Sequence, residues 1–228
     1  MNLIYKLVDR FLMNDFSKPI STIINNNLKQ EIVIFDVGCF QGNFSRSLKK
    51  EIKKKAKFFL FDPNPNLEII DFKYQKLAFS NDKRVKKYYL NNFFPSSGGA
   101  LNTIHMKDKL WNFTRKLVTG NLKKQWNSFE VNTDTIDNYC KDNDIDCIDI
   151  LKIDTEGYEY KVLIGAKEEL NRIKYIYFEH HFDDMLIKGY TLSDIHNYLT
   201  RKGFEKKFKL KMFFRKSFEY IYFNKNKI

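Results

Sequence analysis

The stretch EIVIFDVGCFQGNFS, residues 31–45, decides how the chain folds. Its first half is a nearly continuous apolar run, the mark of a strand buried on both faces of a parallel sheet. The run ends in Asp36 and Gly38, and Gly42 follows just before GNFSRSLKKEIKK, which has helical periodicity. The resulting D-x-G-x-x-x-G turn lacks the third glycine of a dinucleotide fingerprint, and Phe40 stands where the second would be. Gly38 lets the chain bend sharply and Gly42 lets a helix or ligand approach closely. The bulk of Phe40 obstructs a pyrophosphate, so a smaller cofactor is expected. The N–H groups opening the next helix favour a carboxylate or a phosphate.

The same theme recurs downstream. KAKFFLFDPNPN is an apolar strand ending in Asp62, broken by Pro63 and Pro65, with a short helix expected near Leu67 to Asp71. YQKLAFS is a third strand and RVKKYYLN an extra, partly exposed one. FEVNTDTIDNYC reads as a strand and the start of a helix. IDILKIDTEGYEYKVLIGAKEEL reads as a strand, a turn and a long helix, and IKYIYFEHH as a strong strand. TLSDIHNYLTRKGF is a helix capped by Thr191 or Ser193 and stopped by Gly203. The tail is expected to form a hairpin turning around Arg215 to Ser217, adding an antiparallel edge. Strands alternating with helices predict a doubly wound, Rossmann-like α/β fold on a mainly parallel seven-stranded sheet with a C-terminal antiparallel hairpin. Residues 1–30 are expected to form an N-terminal helical cap. Residues 31–228 are expected to form a single domain with an insertion or lid at about 93–128.

Bulk properties narrow the class. The 228 residues suit one sizeable domain, and 43% hydrophobic content supplies a core. The net charge of +12 admits a nucleic-acid or acidic partner, although Lys and Asn are enriched along the whole chain, as AT-rich coding produces. Three cysteines without a CxxC pair fit a reducing, cytoplasmic setting and argue against a structural zinc site. No apolar window is long enough for a transmembrane helix, and Lys6, Asp9 and Arg10 interrupt what would be a signal peptide.

In such folds ligands gather at the carboxyl ends of the strands. Three expected strands end there in Asp36, Asp62 and Asp154, and a fourth in Glu179, His180 and His181. Burying carboxylates is costly, so this rim has a purpose beyond packing. Asp62 lies one βα unit after the first turn, where an acidic residue accepts both hydroxyls of a ribose. A sugar-binding carboxylate without a pyrophosphate cradle suggests S-adenosylmethionine.

The pieces FDVGCFQGNFS, FDPNPN, LAFS, PSSGGALN, VNTDTIDNY, LKIDTEGYEYKVLIGA and YIYFEHH together resemble the FkbM family of S-adenosylmethionine-dependent methyltransferases. They span roughly residues 32 to 181. The resemblance implies a methyltransferase acting on a hydroxyl oxygen of a sugar, glycan or natural product. It implies a cofactor turn made by Asp36, Gly38, Cys39, Phe40 and Gly42. Asp62, with Pro63 beside it, would bind the ribose, Ala78 and Phe79 would lie near the adenine, and Asp154 would sit beside the methyl group. FDPNPN has Asp where the family often has Glu, and PSSGGALN has two glycines where Ser-Ser-Leu is commoner.

A hydroxyl acceptor needs a base. Lys152 and Asp154, two apart on a strand, share a face. Asp154 or His181 is expected to take the proton, with Lys152 and Glu179 orienting the site. No metal is expected; were a divalent ion used, Asp154, Glu156, Glu179 and His181 could supply its ligands. An RNA-directed 2′-O-methyltransferase and a non-catalytic Rossmann-like binding domain are the alternative readings.

Overall fold

The computed structural model describes residues 17–27, 31–91, 99–101, 126–182, 188–211 and 217–227. The first part of the expected N-terminal cap, most of the expected 93–128 lid with His105, and the hairpin turn at 215–216 lie outside the described residues.

The elements are α1 (Ser17–Asn27), β1 (Glu31–Val37), α2 (Asn43–Glu51), β2 (Lys55–Phe61), β3 (Lys73–Gln75), β4 (Ala78–Phe79), β5 (Val85–Asn91) and β6 (Gly99–Ala100). They continue with β7 (Trp126–Asp134), α3 (Ile136–Asp142), β8 (Ile150–Ile153), α4 (Glu159–Ile164), β9 (Tyr175–His181), α5 (Leu192–Arg201), β10 (Phe204–Lys211) and β11 (Ser217–Asn224). The main sheet has seven strands in the order β10-β11-β9-β8-β1-β2-β3. From β9 to β3 every pairing is parallel. The chain thus adopts the expected doubly wound, Rossmann-like architecture.

The period of two along β1 divides the core. Ile32 and Ile34 face α1 and α2, packing with Ile20, Ile23, Ile24, Leu48 and Leu60. Phe35 and Val37 face the opposite layer, packing with Phe61, Tyr139, Leu151, Leu163 and Leu199. Helix α1 therefore packs into the same core as the sheet. Among the described residues, no helix is long and apolar enough to cross a membrane.

The structure differs from the sequence expectations in four places. β11 enters between β9 and β10, so the antiparallel strand is the second one in and β10 is the edge. Residues 67–71 are not helical, because Asp62 and Asn64 bind the backbone N–H groups of Asn64 and Asn66 and commit the chain to turns. The long helix expected after Asp154 stops at Ile164. A Cβ on Gly165 would sit 1.9 Å from the Ser80 carbonyl oxygen, so the chain must pass there as glycine. Finally, YQKLAFS splits into β3 and β4, which belong to different sheets. The second sheet, in the order β4-β7-β5-β6, has no counterpart in the sequence reading, and it forms one wall of the site.

Candidate active site

The first turn is built by contact between strand tips. The Gly38 and Cys39 N–H groups donate to the Phe61 carbonyl at 2.8 and 3.1 Å, bending the chain over the end of β2. Gly38 has φ 73°, and a Cβ there would lie 1.8 Å from the Asp154 carbonyl oxygen. Only glycine lets the tips of β1 and β8 meet so closely. Phe40 (φ 45°) and Glu156 (φ 52°) are also left-handed, and both line the adjacent cleft. Such conformations cost about 1–3 kcal/mol in non-glycine residues and cluster at ligand sites. Gly42, with φ 75°, opens α2.

The cleft and its open mouth together hold about 610 Å³ of empty space. Gly38, Phe40, Asp62, Pro63, Ala78, Phe79 and Asp154 line it, all of them expected at the cofactor. Asp62 is buried at its back. Its Oδ2 accepts the Phe40 N–H and its Oδ1 the Asn64 N–H, each at 2.9 Å. Burial pushes this carboxyl up to about 6, against the pull of those two bonds. The Tyr88 hydroxyl also hydrogen-bonds to it, and the remaining acceptor capacity of the carboxylate is available to a hydroxyl proton. Leu77, Ala78, Phe79 and Leu101 add an apolar surface suited to a flat heterocycle, while Asp154 and Glu156 put negative charge at the rim. These acceptors, charges and surfaces fit an adenosyl group carrying a positively charged sulfonium.

Asp36, Cys39 and Gly42 stand behind the cleft and do not line it. Asp36 is fully buried; its Oδ2 accepts from Ser45 Oγ at 2.6 Å and its Oδ1 from Lys152 Nζ at 2.9 Å. Cys39 is buried, and burial together with Asp36 and Asp62 pushes its thiol well up. Lys152 reaches from Asp36 to Asp154 Oδ2, at 3.5 Å. Burial works against its charge, but Asp36 and Asp154 outweigh that and hold it above the usual lysine range. Its ammonium also lies 5.2 Å from the centre of the Phe44 ring, which stacks on Tyr177. Lys152 is thereby a fixed bridge between the buried acid of β1 and the acid at the cleft.

Glu156 connects the cleft to β9. His181 Nε2 lies 3.5 Å from Glu156 Oε2 and 3.4 Å from Glu179 Oε1, and both His181 and Glu179 are buried. His180 points to the other face of the sheet, against Phe182 and Tyr190, and burial lowers it to about 4. Among the described residues, no three His, Cys, Asp or Glu side chains come together as a metal site.

Three contributors were not legible in the sequence. Tyr88, from the second sheet, lines the cleft beside Asp62, whose charge, added to burial, raises its phenol. Thr155 also lines it. Glu159 shapes the loop: its Oε1 accepts the N–H groups of Thr155 at 3.1 Å and Gly157 at 3.0 Å, and its Oε2 accepts from the Tyr190 hydroxyl. Spacing alone could have flagged Glu159 as a helix-start carboxylate; nothing in RVKKYYLN singles out Tyr88.

The model of the methyltransferase FkbM domain matches residues 36–206. The 2-O-methyltransferase NoeI of Sinorhizobium fredii (strain NBRC 101917 / NGR234) is 28% identical over 178 residues, 71% of this chain and 68% of that protein. Among solved structures, a SAM-dependent methyltransferase from Aquifex aeolicus aligns over 96% of this chain and 97% of its own, at 13% identity and a TM-score of 0.44. Precorrin-6y C5,15-methyltransferase from Geobacter metallireducens GS-15 aligns over 93% and 89%, at 11% identity and a TM-score of 0.43. The family match runs through three quarters of the chain, from the tip of β1 past the His181 strand, and the chain belongs to the FkbM family of S-adenosylmethionine-dependent methyltransferases.

Proposed function

We propose that the chain methylates a hydroxyl oxygen of a sugar, glycan or natural product. The carrying observation is the contact of Glu156, in the cofactor cleft, with the buried His181–Glu179 pair. The resemblance to a protein named as a 2-O-methyltransferase supports the same reading. S-adenosylmethionine supplies an electrophilic methyl group on a sulfonium. Asp62 would accept the ribose hydroxyls, and the surface of Ala78 and Phe79 would hold the adenine. Lys152 steadies Asp154 at the rim. His181 would take the acceptor's hydroxyl proton at Nε2 as the new oxygen–carbon bond forms, and Glu179 and Glu156 would stabilise the imidazolium. Asp154 is the second candidate for that proton.

The test is transfer of labelled methyl from S-adenosylmethionine to a panel of methyl glycosides and phenolic or polyketide alcohols. His181→Ala should lower kcat by about 10²–10⁴ while leaving cofactor affinity near the wild-type value. Cofactor binding without labelling of any hydroxyl acceptor, or labelling confined to nitrogen, would overturn the reading.

A further inference from the structure

The turn between β8 and α4 holds two consecutive residues in the left-handed region, Glu156 (φ 52°) and Gly157 (φ 94°). Glycine takes such a φ freely, but glutamate does not, so the surroundings must enforce it at position 156. The enforcing group is Glu159, which has 1% of its surface exposed. Its Oε1 accepts the Thr155 N–H at 3.1 Å and the Gly157 N–H at 3.0 Å, one on each side of Glu156. Two N–H groups that converge on one oxygen fix the backbone torsions between them. The same oxygen accepts from the Thr155 hydroxyl at 3.1 Å, and Oε2 accepts from the Tyr190 hydroxyl. Tyr190 is itself buried, with its ring against those of Tyr160 and His180. Four donors from two packed segments therefore converge on this one carboxyl group.

A carboxylate that only started a helix would turn to the first N–H groups of that helix. Glu159 instead reaches back to the turn before α4, and it does not line the cleft. What the turn delivers is the side chain of Glu156, whose Oε2 lies 3.5 Å from His181 Nε2. Resting on the reading of His181 as the base that takes the acceptor's proton, we propose that Glu159 is a positioning residue. It holds Glu156 against His181, and through that contact it raises the proton affinity of the imidazole.

The test follows the four histidines of the full chain by NMR of the imidazole Cε1–H across about pH 4–9. Loss of a signal in His181→Ala assigns His181. Glu156→Gln removes the neighbouring negative charge and should lower the His181 pKa by about 1 or more. Glu159→Leu should lower it by a similar amount although Glu156 is still in the chain. Adding Glu159→Leu to Glu156→Gln should lower it by no more than about 0.3 further, because nothing is left for the second change to act through. Glu159→Gln keeps an oxygen for the two N–H groups and turns its amide to the Tyr190 hydroxyl, so it should stay within about 0.5 of wild type. Glu179, Glu219, Asp154, Lys152 and Lys188 are the other charged groups of this region among the described residues, and they are the same in every variant. A purely structural Glu159 would lower the urea midpoint of the Leu variant and leave the His181 pKa at its wild-type value, which would overturn the proposal. So would a shift that adds in full to that of Glu156→Gln, or a His181 pKa that Glu156→Gln does not move. If Glu159→Leu does not fold, Glu159→Asp decides. One methylene shorter, it cannot span the turn and the Tyr190 hydroxyl together, and a His181 pKa unmoved by it would overturn the proposal. Methyl transfer by His181→Ala at the wild-type rate would instead bring down the reading of His181 as the base, and the coupling of Glu159 to His181 would stand.

Discussion

Replacing Asp62 by Asn should separate cofactor affinity from stability. The native carboxylate accepts the Phe40 and Asn64 N–H groups and hydrogen-bonds the Tyr88 hydroxyl, and its remaining acceptor capacity is what the ribose would use. Asparagine has a single acceptor oxygen, so its NH2 must face one of those two N–H groups. Leaving that donor unpaired costs about 1–3 kcal/mol. Removing a buried charge offsets this, since a rise from 3.8 to about 6 corresponds to about 3 kcal/mol of penalty on the ionised form. The net stability change should therefore stay within about 2 kcal/mol. Affinity has no such offset: losing a hydrogen bond to a charged group is worth about 1.5–3 kcal/mol, or a Kd roughly 10- to 150-fold weaker. The pH dependence follows from the same group. Its native pKa lies above its unfolded one, so the folded protein holds the extra proton between them. The stability it contributes is greatest below 3.8 and is lost as pH rises through about 6. Cofactor binding runs the other way, because the ribose needs the ionised form: affinity should fall roughly tenfold per pH unit below about 6. Calorimetry with S-adenosylhomocysteine across about pH 5–8, paired with urea unfolding at each pH, measures both slopes. Binding by Asp62→Asn within about threefold of wild type, or a wild-type affinity flat across that range, would refute the reasoning.

Four other outcomes are expected. Gly38→Ala, which adds a clash with the Asp154 carbonyl to a φ of 73°, should lose more than about 3 kcal/mol. Gly189→Ala, with φ 67° and open space around its Cβ, should lose only about 1–2 kcal/mol; thermal unfolding should show Tm falling about 2–4 °C per kcal/mol. Lys152→Met leaves the fully buried Asp36 without its ion pair and should cost about 3–5 kcal/mol in urea unfolding, with Asp36→Asn in the same chain recovering part of it. Tyr88→Phe, which removes a hydroxyl beside Asp62, should weaken S-adenosylhomocysteine binding by about 2- to 10-fold in calorimetry, and an unchanged Kd would exclude the tyrosine from the site.

The fold was legible where local pattern and tertiary context agree. The apolar run ending at Val37 is buried on both faces, so its hydrophobicity announced a central parallel strand. Thr191 and Asp194 form a capping box, a bond pattern closed within four residues, and the helix begins where the sequence places it. Residues 67–71 misled because side-chain bonds from Asp62 and Asn64 to N–H groups two residues on commit the chain to turns, and the second half of the IGAKEEL segment misled because its deciding contact is not local. Gly165 ends its helix against Ser80, the residue that follows β4 of the other sheet. The position of β11 was hidden for the same reason: hairpin chemistry shows that two strands pair, but not which of them meets β9.

By itself the sequence determined the type of the elements, the glycine-dependent first turn and the row of acidic strand tips, because these follow from periodicity and backbone freedom within a few residues. Only the tertiary structure decided what each acid does. Asp36 and Asp62 end neighbouring strands in the same way, yet one is locked to Lys152 behind the cleft and the other is left with acceptor capacity facing it. That difference depends on β8 and the second sheet, whose side chains reach these acids from as far as 116 residues away along the chain.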